Sequence, residues 1–315
     1  MNQFYSQMAR CGCRGLLVAL AATLLLTGTI VPNVRADTSV WEVSNGEHTI
    51  YLGGTHHGLP ESEYPLPEAF ERAFENSQQI YFEMPYIFPL VYNLEQLMVM
   101  YDLLTYHDGR TLKDVLSAEA YQALTEYLIA EGYSVEDLQR SRPGFVMWTI
   151  IEAADYGKSS ERESGGKKVT IMGVEDHFAY RAMNADRPIH GLETFKDQIG
   201  ALASLGEGNE SEFVLLQLHN VQNIQRREEM KGLVPAWRAG DMEFWENIRI
   251  PEMLKEDPHT YDIMIRQRNL RWLPKIEAMF EDADVEYVLV GVGHMPGPDG
   301  LLELLQARGY TITQL

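Results

Sequence analysis

Two histidines stand at the same offset from a glycine in distant parts of the chain, in Gly53-Gly54-Thr55-His56 and in Gly291-Val292-Gly293-His294. Each lies at or just past the end of a short β-rich run. A third such run, Gln79 to Met84, carries Glu83 and is stopped by Pro85. Two imidazoles and a carboxylate suit a divalent transition metal with open positions, or a metal-free acid/base pair. Glycine three residues before a strand-end histidine lets a backbone or a ligand approach closely. Taken singly, each histidine reads as a hydrogen-bonded turn residue and Glu83 as a solvated strand-end carboxylate. The repeated spacing favours a shared site. His57 is expected to face solvent or to support His56. His177 and His219 have no partner readable from spacing and are expected to be structural.

The elements that must position these residues alternate between strand and helix. Val40 to Val43 and His48 to Leu52 are β-rich runs around an Asn45-Gly46 turn, which predicts a hairpin. Leu66, Ala69, Phe70, Ala73 and Phe74 make an apolar stripe at helical spacing, with Pro67 and Glu68 suited to a first turn. Strand, helix and the Gln79 run form a βαβ unit, so the strands bearing His56 and Glu83 should be parallel. Residues 86 to about 156 read as a helical insertion after that second strand, and Gly157 to Lys168 as an exposed loop. Strands are expected at Val169 to Val174, ending in Glu175-Asp176-His177, and at Pro188 to Leu192. Helices should follow near Lys196 to Leu205, Glu210 to Met230 and Pro258 to Phe280. Strand Val285 to Val292, helix Leu301 to Arg308 and strand Tyr310 to Gln314 close the chain. The fold class is α/β, a central mostly parallel sheet flanked by helices. In such a sheet the ligand crevice lies beyond the carboxyl ends of the strands, where His56, Glu83 and His294 fall.

Competing motifs are missing. There is no HExxH and no GxSxG, and the third glycine of a dinucleotide fingerprint is absent after Gly293. Gly157-Lys158-Ser159 would need a glycine at position 152 to be a phosphate loop, and Glu152 stands there.

Residues 1–36 read as an export signal. Arg10 and Arg14 precede an apolar core from Gly15 to Leu26, and Val34-Arg35-Ala36 offers small residues for cleavage. The alternative, an uncleaved anchor, asks a short apolar run to span a bilayer. Both cysteines, Cys11 and Cys13, lie in this segment, so the domain 37–315 has no disulfide and no thiolate chemistry. Loss of the three signal arginines takes the net charge from −20 to −23. Such a surface repels nucleic acid and anionic lipid. A periplasmic or secreted protein without stable membrane insertion is expected.

The ordered set of Tyr51-Leu52-Gly53-Gly54-Thr55-His56, Tyr81-Phe82-Glu83 and Gly173-Val174-Glu175-Asp176-His177-Phe178 resembles the TraB/GumN (TIKI-like) family. So do Gly191-Leu192-Glu193-Thr194 with Gln198, Trp237-Arg238-Ala239-Gly240-Asp241, Arg268-Asn269 and Gly291-Val292-Gly293-His294-Met295-Pro296-Gly297. The resemblance implies an α/β fold shared with erythromycin esterases and ChaN-like haem-binding proteins. It also implies a site made of His56, His294, Glu83 and Arg268. Manganese- or cobalt-dependent proteolysis is implied by the TIKI branch, and metal-free histidine catalysis by the esterases. His57 departs from the pattern of many relatives.

A hydrolase is therefore expected, a metal-dependent peptidase in which His56, Glu83 and His294 hold manganese, cobalt or zinc, or in which Glu83 is the general base. Arg268 would orient a carboxylate or stabilise the oxyanion, with Glu193 behind it. The substrate would be a peptide or a small molecule. The alternatives are haem or metal binding through the same histidines, and a metal-free esterase.

Overall fold

The computed structural model describes residues 38–59, 61–85, 92–156, 161–164, 167–170, 173–223 and 232–315. The export signal, Gly157-Lys158-Ser159 and the end of the helix expected at Glu210 to Met230 lie outside them.

A six-stranded mixed sheet organises the domain, in the order β6-β3-β7-β2-β1-β8. Its strands are β1 (Val40–Ser44), β2 (Thr49–Thr55), β3 (Gln79–Phe82), β6 (Ile189–Gly191), β7 (Glu286–Gly291) and β8 (Thr311–Gln314). The four strands β6, β3, β7 and β2 are mutually parallel, and β1 and β8 add antiparallel at one edge. The α/β class is thus the observed one. In the centre, Thr55 is paired with Gly291 and Phe82 with Leu289, so three carboxyl ends align across neighbouring strands.

β7 reads Tyr287-Val288-Leu289-Val290, apolar without alternation, because both faces of the sheet are covered. Tyr287 and Leu289 pack with Phe70 of α1 (Glu68–Asn76) and with Phe178 and Trp237. Val288 and Val290 pack on the other side with Trp272, Ile276, Leu301 and Leu305. Gly53 belongs to this packing: a Cβ there would stand 2.7 Å from Leu289 Cδ2 and 2.8 Å from Tyr287 Oη.

Between β3 and β6 lie α2 (Leu94–Leu104), α3 (Leu112–Val115), α4 (Ala118–Ala130), α5 (Val135–Leu138) and α6 (Pro143–Tyr156). They share a separate apolar cluster with α8 (Phe195–Ser204) and α9 (Glu210–Gln222). Two expectations differ here. Residues predicted as a loop and a sheet strand instead form a small antiparallel pair, β4 (Glu161–Ser164) with β5 (Lys167–Thr170), outside the main sheet. Val174 is not the end of a strand but the first residue of α7 (Val174–Asn184). The Asp176 carboxylate accepts the Gly173 N–H, a capping bond that turns Val174-Glu175-Asp176 into a first helical turn.

Next come α10 (Leu233–Ala239) and α11, which runs Met242–Phe244, the π-turn Trp245–Arg249 and Ile250–Glu256. The helix expected at Pro258 to Phe280 is α12, built as Pro258–Tyr261, a π-turn Asp262–Arg266 and Gln267–Ala278. α13 (Leu301–Gln306) precedes β8. Among the described residues no helix is long and apolar enough to cross a membrane.

Candidate active site

A cavity of about 560 Å³ opens at the carboxyl ends of β2, β3 and β7, and His56, Glu83, Arg268 and His294 all line it. Glu83 follows directly after β3. Its Oε1 accepts the Gly291 N–H at 2.9 Å and its Oε2 accepts Arg268 Nη2–H at 2.6 Å. Gly291 eases that approach, since a Cβ there would lie a tight 3.3 Å from Glu83 Oε1.

Arg268 is the hub. It sits on α12 in the first turn after the π-turn, 2 % exposed. Nε and Nη2 donate to Glu193, the latter at 2.6 Å, and the guanidinium carbon lies 4.6 Å from the centre of the Trp272 ring. Nη1 donates to His294 Nε2 at 3.2 Å and to the Met264 carbonyl at 3.4 Å. Glu193 also accepts Trp272 Nε1–H at 3.1 Å. All five guanidinium hydrogens are thereby committed. That commitment makes Arg268 a positioning residue.

His294 has a defined tautomer. Asn269 Nδ2 donates to the carbonyls of His294 and Asp299, which turns Asn269 Oδ1 towards His294 Nδ1 at 2.7 Å. Nδ1 therefore carries the hydrogen, and Nε2 accepts from Arg268. Burial first, and the Arg268 charge in addition, push the His294 pKa down to about 3 against the pull of Glu83. The imidazole is neutral. For Glu83 burial is the largest influence and acts upward. Arg268 leads the opposing charges, which hold the carboxyl well below the usual range.

The two adjacent histidines behave oppositely. His57 Nδ1 donates to Glu175 Oε1 at 2.9 Å, and Thr55 Oγ1 donates to the same carboxylate. The Glu175 charge is the main cause that raises His57 to about 10, against burial. His57 is therefore protonated at neutral pH, and the exposed part of its side chain faces the cavity. His57 Nε2 points to the centre: a Cβ on Gly291 would lie 3.9 Å from it, 3.8 Å from His294 Cδ2 and 3.3 Å from Glu83 Oε1. His56 is lowered from 6.5 by burial and then by the His57 charge. Its Nδ1 is buried without a hydrogen-bond partner, and its ring lies 6.4 Å from Trp237 in an edge arrangement.

Of the residues expected from sequence, Glu83, His294, Arg268 and Glu193 form one hydrogen-bonded cluster, and His56 shares the cavity. His57 is more central than expected. Glu175 and Asn269 were not singled out. The signals were present: Glu175 lies in the Gly173 segment, and Arg268 and Asn269 sit on the otherwise apolar buried stripe Trp272, Leu273 and Ile276. His177 Nε2 is hydrogen-bonded to Glu71 at 3.0 Å, away from the cavity lining. His219 lies in the last turn of α9.

The expected metal ligands His56, Glu83 and His294 do not fit a metal in this arrangement. Both His294 nitrogens and both Glu83 oxygens are in hydrogen bonds or ion pairs, and the cation they meet is Arg268. Among the described residues no group of three or more His, Cys, Asp or Glu side chains is placed to hold a metal ion.

Glu175→Gln should return His57 from about 10 towards 6.5, read from its ring protons in an NMR pH titration. A raised histidine pKa stabilises the fold fully below the unfolded value near 6.5, and the gain disappears as pH rises through 10. The variant should therefore lose stability at pH 6 and lose none by pH 10.5, in paired urea melts. A His57 that titrates unchanged in the variant would remove Glu175 as the cause.

A family model described as TraB/PrgY/gumN matches residues 39–314. No curated protein and no solved structure matches the chain significantly.

Proposed function

The chain belongs to the TraB/PrgY/gumN family, and from that premise we propose that it is an exported hydrolase that cleaves an acyl ester or amide without a bound metal. One observation carries this: His56, its pKa lowered by burial and by the neighbouring charge, lines the same cavity as His57, its pKa raised by Glu175. Neighbouring groups with pKa values driven apart are the usual arrangement of a general base and an electrostatic partner. Of the candidates, only His56 can serve as base. Glu83 is too acidic, and the His294 lone pair is taken by Arg268.

His56 accepts a proton from water as the oxygen attacks the acyl carbon, and the carbonyl becomes an oxyanion. The His57 Nε2–H faces that charge in a partly enclosed site, where such a donor is worth most. The His56 imidazolium then returns its proton to the departing alcohol or amine, leaving a carboxylic acid. Glu83, Arg268 and Glu193 hold the walls and the His294 ring in place. The peptidase expected from the TIKI branch is the amide case of this reaction with its metal removed.

The test is hydrolysis of an ester and amide panel by protein stripped with chelator. Turnover should persist, and its pH profile should be a bell. The acid limb should lie below 6.5, where His56 gains a proton, and the alkaline limb near 10, where His57 loses one. Turnover only after manganese, cobalt or zinc is restored would reinstate the metal-dependent form. A retained haem Soret band with no cleavage under any condition would replace hydrolysis with haem binding.

A further inference from the structure

The strand that carries His56 outruns its neighbour. Pairing between β1 and β2 ends at Val40 and Gly53, and the chain then runs through Gly54 and Thr55 to His56 in the cavity lining. Past that point Gly54 N–H donates to the Ser39 carbonyl at 2.7 Å. The Gly54 carbonyl accepts from a side chain of α10, the buried Trp237 Nε1–H, at 2.7 Å. A Cβ on Gly54 would stand 3.0 Å from Val292 Cγ2, so the turn that leads to His294 packs on the same residue.

Trp237 is itself fixed on several sides. Its carbonyl accepts Ser39 Oγ–H at 2.6 Å. Gln314 Nε2 donates to the Gly240 carbonyl at 2.8 Å and to the Thr38 carbonyl at 3.0 Å, which ties the end of α10 to the sheet edge. The indole is fully buried, with the Phe70 ring 5.6 Å away on one side and the His56 ring 6.4 Å away in an edge arrangement. Burial alone requires some acceptor for an indole N–H. What singles this acceptor out is its place, two residues before the histidine that the same indole meets.

We infer that Trp237 is the positioning residue of His56: its N–H holds the strand end through Gly54, and its ring sets the direction of the imidazole. This rests on the hydrolase proposal for what His56 does, and on the geometry alone for where His56 stands. Placement matters to a general base, because a displacement of about 1 Å can cost on the order of 10²-fold in rate.

Trp237→Phe keeps an aromatic ring and removes the N–H. In the full chain, kcat for an ester should fall by about 10- to 100-fold with KM unchanged, the mark of an interaction that serves the transition state. Leu305→Ala is the control, a buried residue of α13 on the other face of the sheet, which should lower the melt and leave kcat as it is. Hydrogen exchange tests the same claim without turnover. The Gly54 N–H should exchange about tenfold faster in Trp237→Phe, beyond any change in global stability, while the amides of β7 keep their rates. If that variant fails to fold, β-(3-benzothienyl)alanine in place of Trp237 makes the same comparison, since it has the indole shape with sulfur where the N–H was. Unchanged Gly54 exchange, or a loss of kcat no larger than that of Leu305→Ala, would overturn the positioning role. A parent that cleaves no ester, with Gly54 exchange accelerated in the variant, would sink hydrolysis and leave the positioning standing.

Discussion

Arg268→Met lowers the unfolding midpoint by roughly 6–20 °C, because removing one partner of a buried ion pair costs about 3–5 kcal/mol and a domain of this size shifts about 2–4 °C per kcal/mol. The mechanism is specific. Glu83 and Glu193 are 9 % and 5 % exposed, and without the guanidinium their burial is uncompensated. Glu83 shows the balance directly, since burial alone drives its carboxyl upward and Arg268 leads the charges that reverse this. A depressed carboxyl contributes stability above its unfolded pKa near 4.5 and loses it as pH falls. The deficit of the variant should therefore be greatest at neutral pH and shrink towards pH 4, as the stranded Glu83 carboxylate takes up a proton. Adding Glu193→Gln should recover part of the loss. Differential scanning calorimetry at pH 7 and pH 4 reads both effects, and a midpoint within a degree of the parent at pH 7 would show that Arg268 is not the countercharge of this cluster.

His56→Asn is the opposite kind of change. Hydrolysis should fall by about 10²–10⁴, the usual contribution of a positioned general base, with little change in the melt. Its Nδ1 makes no hydrogen bond, and the bond its ring makes is to the backbone of nearby Gly58, so no buried side-chain partner is left stranded when the ring is removed. The two variants separate the roles within one cavity: Arg268 holds it and His56 works in it. An active His56→Asn protein would transfer the base to another group. A variant as unstable as Arg268→Met would make His56 structural.

The strand ends were legible because they obey simple rules. A β-rich run closed by Gly-x-x-His, and Glu83 stopped by Pro85, place three side chains at carboxyl ends, and the Thr55–Gly291 pairing puts two of those ends side by side. What sequence could not rank was His56 against His57. Adjacent residues in a turn after a strand take different directions, and the outcome depends on Glu175, 118 positions past His57 and on a helix that reads locally as the end of a strand. Arg268 was named only through the family resemblance, because a helical arginine ordinarily faces solvent. Its burial is decided by Glu83 and Glu193, two carboxylates brought to it by β3 and by the turn after β6. Nor could sequence show that Glu83 and His294 meet the Arg268 guanidinium. Two histidines and a glutamate call for a positive centre, and the fold supplies one from its own chain.

The position of β7 has a consequence for how the protein is made. This strand lies between β2 and β3, yet it is synthesised almost last. Until Glu286–Gly291 emerges, the nascent chain carries β2 and β3 with facing edges unpaired, and such edges invite pairing with other chains. The polypeptide is thus obliged to keep two hydrogen-bonding borders apart through most of its translation. A ribosome stalled before β7 would release a chain with neither a closed sheet nor a catalytic centre.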